Sequence, residues 1–386
     1  MQRRQFLAAL GAVGASVAFG PAVAKRPSSR DARLVVVVLR GGLDGLSAVP
    51  AHGDPDYQKA RGELALPGAG REGGLVDLDG TFGLHPALAP LKPMFDAGSL
   101  LVVHAVAAPY RKRSHFDGQN VLETGASKPN VVRTGWLSRA LGDGTAALAV
   151  GRDLPRVLRG PASATSLDPL RRPRPDHPFY REVAAMYAGD EALSTALDRG
   201  VAAQALLAKH AGEHRGKGGP ERAARVVARI MADPEGPRTA ALSMGGWDTH
   251  TGQEARLKRG LSTLASVVGS YAEASPADVW AKTAIVAVTE FGRTVSPNGT
   301  GGTDHGVGGA ALVFGGAVAG GRVIADWPGL GARDRLEGRD LRPTTDVRSL
   351  LKGLLHDHLV IPKGRLDRDV FPDSAGVEAL PDLLRT

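Results

Sequence analysis

The chain has 386 residues, with 51 glycines, 26 prolines and no cysteine; 48 basic against 40 acidic side chains give a formal charge of +8. A disulfide scaffold and any thiolate-ligated zinc or iron–sulfur site are thereby excluded. At 42% hydrophobic and 23% charged, this is the composition of a globular chain, neither disordered nor collagenous, and its length suits one large α/β domain or two smaller ones.

The first residues read as an address. Arg3-Arg4-Gln5-Phe6-Leu7 precedes an apolar stretch of Ala, Gly and Val that runs to about Ala18, and Ala22-Val23-Ala24 supplies a small-residue cleavage site. The stretch is shorter than the ~20 residues of a spanning helix. The arginine pair followed by Phe-Leu resembles the twin-arginine export signal. Residues 1–24 are expected to be removed, leaving a single domain over 25–386. Cleavage removes two arginines and no acid, which takes the charge from +8 to +6. The twin-arginine translocase would be the export partner, and the destination periplasmic or secreted, with no stable membrane span after cleavage.

Along the mature chain, Leu34–Leu39 is a continuous β-branched run that predicts a strand buried on both faces. Helical patterns follow at His85–Ala97, Phe116–Thr124 and Gly135–Leu141, and a second strand at Leu100–Val106. Ala146–Val150 predicts a further strand. Residues 153–178 are rich in Pro and Arg and predict a surface crossing into a helical insertion, about 153–232 in all, with helices at Phe179–Tyr187, Glu191–His210 and Glu221–Met231. Thr239–Ser243, Thr283–Val288 and Ala310–Phe314 predict three more strands, Gln253–Ala272 a helix, and Pro343-Thr344-Thr345-Asp346 the cap of a helix running to about His356. Strands alternating with helices argue for a mainly parallel central sheet with helices on both faces.

Ligands in such sheets collect beyond the carboxyl ends of the strands. Here those positions hold Asp44 after the first strand, Arg113-Ser114-His115 after the second, Asp248 and His250 after Thr239–Ser243, and Glu290 and Arg293 after Thr283–Val288; Asp304-His305 precedes Ala310. Glycines flank nearly all of them. Carboxylates and imidazoles without thiols suit a divalent ion: Zn²⁺, Mn²⁺, Mg²⁺ or Ca²⁺. Of the other histidines, His104 on a strand reads as a core residue, His52 and His85 as loop or helix-entry residues, and His177, His210 and His214 as solvated.

Arg40-Gly41-Gly42-Leu43-Asp44-Gly45, Arg113-Ser114-His115-Phe116, Gly246-Trp247-Asp248-Thr249-His250, Thr289-Glu290-Phe291-Gly292-Arg293-Thr294 and Thr303-Asp304-His305-Gly306, in that order behind the arginine-pair signal, resemble domain-of-unknown-function family 1501 of exported bacterial proteins. That family in turn looks like a remote branch of the alkaline phosphatase and sulfatase superfamily. The resemblance implies an alkaline-phosphatase-like α/β fold and one or two divalent metals. It matches Asp44, Asp248, Glu290 and His305 to metal-binding positions, His250 to a further ligand or proton carrier, and Ser114 to the nucleophile; Asp304, beside His305 at the strand edge, is a further candidate ligand. Phe291 stands where the superfamily has an imidazole ligand, which implies one metal, or a harder metal held mainly by carboxylates.

Two functions follow as expectations. The first is an exported metal-dependent hydrolase of phosphate or sulfate esters, on a small molecule or a polysaccharide. Ser114 would attack, Arg113 and Arg293 would grip the anion and His115 would protonate the leaving oxygen. The second is a non-catalytic metal- or polyanion-binding protein of the same fold that assists a secreted partner. A nucleic-acid partner is not expected, since no aromatic-rich basic motif is present.

Overall fold

The computed structural model describes residues 31–211 and 219–385. The export signal read over 1–24 and His214 lie outside the described residues.

The centre is a nine-stranded sheet. In chain order its strands are β1 (Arg33–Leu39), β4 (Leu100–Ala107), β5 (Ala146–Val150), β6 (Ser163–Leu167), β7 (Thr239–Met244), β8 (Thr283–Thr289), β9 (Gly309–Phe314), β10 (Arg322–Ile324) and β11 (Thr345–Asp346); β2 (Val76–Asp77) and β3 (Gly83–Leu84) form a separate antiparallel pair. The order across the sheet is β10-β4-β9-β8-β1-β7-β5-β6, with β11 also pairing β4. Every pairing in it is parallel except those of β9 with β4 and β8. The sheet is thus mixed and mostly parallel. The reversal of β9 has a functional result: its start, not its end, lies beside the carboxyl end of β8, so Asp304 and His305 reach the same edge as the loops after the parallel strands.

All seven residues of β1 are buried, as a strand covered on both faces requires. Val35, Val37 and Leu39 face one core with the helices Pro220–Ala232 and Gln253–Ala274; Leu34, Val36 and Val38 face another with the helices His115–Thr124, Trp136–Leu141 and Val347–Leu359. Each such side chain contributes roughly 1.5–3 kcal/mol relative to exposure.

Residues 153–178, expected as an irregular crossing, contribute the edge strand β6. The helix Pro220–Ala232 buries six residues, among them Val226, Val227 and Ile230, and so belongs to the core rather than to an insertion. The helix Phe179–Tyr187 buries none, and Glu191–His210 only Leu207. Prolines 90 and 93 shape the segment before β4 into a 3-10 turn, Pro86–Leu91, followed by one helical turn, Lys92–Asp96. Asp346 caps its helix by accepting from Arg348 N. His104 is a core residue as expected, Nε2 bonding Val49 O at 3.0 Å and Nδ1 accepting from Ala105 N at 2.8 Å. His210, expected to be solvated, instead pairs with Asp233 at 2.6 Å. Among the described residues no helix is long and apolar enough to cross a membrane.

Candidate functional site

The loop after β7 alternates in burial. Trp247 and Thr249 are buried, Trp247 held by a bond from Nε1 to Met244 O at 2.9 Å and Thr249 by one from Oγ1 to Gln253 Oε1 at 2.7 Å. Anchoring these two leaves Asp248 and His250 at the surface, which is why an Asp-x-His spacing delivers two adjacent ligand types. Gly41, at φ +123°, lies against this loop so closely that a Cβ there would collide with Asp248 N.

Asp248 Oδ1, His250 Nε2 and His305 Nε2 form a small triangle. His250 and His305 lie 3.1 and 3.2 Å from the oxygen, and the two nitrogens 2.9 Å from each other. On the other carboxylate oxygen, Oδ2, His115 Nε2 stands at 3.4 Å. Among the described residues His115, Asp248 and His305 each present one donor atom, the three lying within 4.8 Å of one another. Phe291 packs against the His115 and His305 rings at centroid distances of 4.9 and 5.1 Å, giving two imidazoles an apolar wall.

Each imidazole is held from behind through Nδ1. His115 Nδ1 donates to Glu290 Oε1 at 2.8 Å, His250 Nδ1 to Asp304 Oδ1 at 3.0 Å, and His305 Nδ1 to Arg113 O at 2.8 Å. Those partners only accept, so the neutral tautomer of each ring carries its proton on Nδ1 and a lone pair on Nε2. The last contact depends on Arg113 adopting φ +60°, a left-handed conformation rare outside glycine. In the neutral state the triangle is therefore three acceptor atoms 2.9–3.2 Å apart with no proton between them. His115 Nε2 is buried with no hydrogen-bond partner. Ligands at 2.0–2.1 Å around a tetrahedral ion stand about 3.3 Å from one another. This donor set fits a divalent cation, and it is richer in imidazole than the sequence led us to expect.

The electrostatics agree. Burial pushes the Asp248 carboxyl up, but Arg293, whose Nη1 donates to Oδ1 at 2.6 Å, outweighs it and leaves the group below its usual range. The bond to Glu290 raises His115 above an ordinary histidine, whereas burial lowers His305. Asp304 is lowered by the Asn298 amide and by His250.

The remaining sequence candidates are brought close but not into the triangle. Glu290 is fully buried behind His115, where Oε1 also accepts from Gly41 N at 2.8 Å and Gln119 Nε2 at 3.0 Å. Burial raises its carboxyl, and these donors outweigh it. Asp304 lies behind His250. Asp44 caps its own turn through Ser47 and accepts from Arg61 Nη2 at 2.6 Å and Gln253 Nε2 at 2.5 Å; no triangle residue is among its partners. Arg293 is buried against Asp248 and Thr303, and Arg113 bonds Asp340 at 2.6 Å and Glu337 at 2.6 Å, so both guanidinium groups are engaged within the protein. Ser114 precedes the helix His115–Thr124 and makes no capping bond through its side chain.

Sequence reasoning missed Asp340, Arg61, Gln253 and Asn298. Asp340 is fully buried, raised by that burial, and its Oδ1 has no hydrogen-bond partner. Asn298 ties the His250 backbone carbonyl at 2.9 Å to the loop before His305. Only Asn298, in Pro297-Asn298-Gly299, carried a local signal, that of a turn.

The fold and site define an α/β protein with a carboxylate–imidazole cluster at the carboxyl edge of its sheet. The chain belongs to the family described as protein of unknown function DUF1501, whose profile matches residues 108–371. A search of curated proteins finds no match. Among solved structures it is similar to a protein in the alkaline phosphatase superfamily from Vibrio parahaemolyticus, at 11% identity over 85% of this chain and 67% of that one, TM-score 0.39. It is also similar to the C-terminal periplasmic domain of EcEptC from Escherichia coli in complex with Zn, at 11% identity over 92% of each chain, TM-score 0.38. A Bacteroides thetaiotaomicron protein described in the metabolism of multiple glycosaminoglycans is similar at 10% identity over 92% of this chain and 77% of that one, TM-score 0.43.

Proposed function

We propose that the protein is an exported metal-dependent hydrolase of phosphate or sulfate esters. The observation that carries this reading is the triangle of Asp248 Oδ1, His250 Nε2 and His305 Nε2, three lone-pair donors 2.9–3.2 Å apart. Two imidazoles and one carboxylate favour a borderline ion such as Zn²⁺ over Ca²⁺ or Mg²⁺. Three protein ligands leave a coordination position open, the pattern of catalytic rather than structural sites. A divalent ion bound there supplies polarisation of an ester oxygen.

The chain's own residues supply the rest. Ser114 sits directly before His115, at the N-terminus of a ten-residue helix whose free N–H groups favour an anion. Its Oγ attacks the phosphorus or sulfur and the ester P–O or S–O bond breaks. His115, kept protonated to higher pH by Glu290, gives its proton to the departing alkoxide. The serine proton passes to solvent, and water then hydrolyses the serine ester. Asp304, Glu290 and the Arg113 carbonyl position the rings.

The test is metal content of the purified mature chain, followed by chromogenic phosphate and sulfate esters with Zn²⁺, Mn²⁺ and Ca²⁺. Asp248→Ala and His305→Ala should lose the metal; Ser114→Ala should keep it and lose turnover. Absence of both metal and turnover under every condition would sink the proposal. One observation favours a second reading, a non-catalytic metal-binding protein: the two arginines offered as grips for the anion, Arg113 and Arg293, are both engaged internally. Stoichiometric metal without turnover of any ester selects that reading.

A further inference from the structure

Beside the imidazoles, on the neighbouring face of the His115–Thr124 helix that carries Phe116, Gln119 and Glu123, lies a cavity of about 820 Å³, between that helix and the segment after β5. Four arginines line it, Arg40, Arg152, Arg156 and Arg159, against two acids, Glu123 and Asp153. Glu123 is already committed, pairing with Arg40 at 2.7 Å and accepting from Val157 N at 3.0 Å. Arg152 is 71% exposed and reaches Asp168 only at 3.4 Å, and among the described residues the Arg156 guanidinium has no partner. The cavity is therefore positive, with guanidinium groups to spare.

Phe116 is the second lining feature. It directly follows His115 and is 91% exposed, the most exposed of the large hydrophobic side chains among the described residues. At that exposure the ring is left in water beside a polar, basic cavity and buries little of its surface against the described residues. Gln119, one turn further on, joins the cavity to the imidazole site: its Nε2 donates to Glu290 at 3.0 Å, and its Oε1 accepts from Arg40 at 2.6 Å.

We propose that this cavity is an anion subsite for a multiply sulfated or phosphorylated saccharide, with charged groups on Arg152 and Arg156 and a sugar ring lying on Phe116. Guanidinium groups pair with sulfate and phosphate oxygens in parallel hydrogen bonds, and the flat apolar face of a sugar covers an exposed aromatic ring. The volume lies within the range of sites that enclose a ligand of this size. The proposal rests on the hydrolase reading only in having another ester group of the same molecule reach Ser114. Binding to the cavity requires no turnover.

The experiment is calorimetric titration of the full mature chain with sucrose octasulfate, inositol hexakisphosphate and unmodified sucrose; the first two separate sulfate from phosphate as the source of charge. One or both anions should bind, and sucrose should not. The double variant Arg152→Gln/Arg156→Gln should weaken binding about tenfold or more, the value of a lost charge-assisted contact. Phe116→Ala should weaken it as well, without loss of fold, since the ring buries little of its surface. The control Arg71→Gln/Arg333→Gln removes the same charge from exposed positions that do not line the cavity, and should change affinity by less than about twofold because distant charges are screened. The titration, run without added metal, reads binding and not turnover, so failure of the hydrolase reading leaves this result standing. Equal loss in the control and cavity doubles, or no loss in the cavity double, would overturn the proposal, as would absence of binding by both anions.

Discussion

Replacing Asp44 by Asn separates two roles for that carboxylate. The resemblance matched it to a metal position, whereas its neighbours describe a buried ion pair. Asp44 is 1% exposed and Arg61 fully buried; among the described residues, apart from Asp44 and Ser47, the guanidinium has only the carbonyls of Thr294 at 3.2 Å and Val295 at 2.7 Å. Burial raises the Asp44 carboxyl, but Arg61 outweighs it and keeps the group below the usual carboxylate range. Removing one partner of such a pair leaves an uncompensated buried charge, at a cost of about 3–5 kcal/mol. An unfolding entropy of about 2.1 cal/mol/K per residue sums to about 0.8 kcal/mol/K for this length, so the melting temperature should fall by roughly 4–6 °C. Asn retains the cap to Ser47, so a lost cap does not confuse the result. The assay is urea and thermal unfolding followed by tryptophan fluorescence, with metal content per folded chain measured on the same sample. Asp44→Asn should be destabilised with its metal retained, and Asp44→Asn/Arg61→Met should recover much of the loss. Loss of metal with stability within about 1 kcal/mol of the parent would refute this reasoning.

Two further predictions concern the imidazoles. Glu290→Gln weakens the grip on His115 Nδ1 and should alter the metal-dependent pH profile of ester turnover, moving its acidic group to lower pH, because Glu290 is what raises His115; an unmoved profile would remove His115 from the proton-donor role. Asp304→Ala frees the His250 ring and should lower metal affinity about 10- to 100-fold in a chelator competition, and unchanged affinity would mean that Asp304 does not position it. A third concerns stability. Burial lowers His104 from 6.5 to about 4. The unfolded chain therefore takes up a proton below pH 6.5 that the folded chain refuses until about pH 4. Stability is complete above pH 6.5 and declines as pH falls through that window, by about 3 kcal/mol from this residue. His104→Gln should flatten that part of a urea-midpoint-against-pH curve, and an unchanged slope would contradict the assignment.

The strands legible in the sequence were those whose apolar runs report burial on both faces, such as β1 and β8. The edge strand Ser163–Leu167 was not legible, since only Leu167 of its five residues is buried and periodicity has nothing to register. The direction of β9 was equally hidden, because an apolar run of six residues reads the same either way. At the site, residue types beside strand ends placed ten candidates near one edge. Their division into the triangle and its supports depends on side-chain direction, which spacing does not encode. Asp44 and Arg61 are 17 residues apart with no local motif joining them, and Arg113 meets Glu337 and Asp340 more than 220 positions away. Pairings of that kind are products of the fold.

The Nδ1 contacts have a kinetic consequence. Because the protons of His115, His250 and His305 are already committed to Glu290, Asp304 and the Arg113 carbonyl, the rings are aimed and their tautomers set before any ion arrives. Uptake of the proposed ion would then need no refolding and no proton relocation within a ring, in contrast to small zinc domains that fold only around their metal. Loading should proceed as a single encounter, first order in the ion, and the chain should be able to lose and regain its metal many times over without passing through an unfolded state.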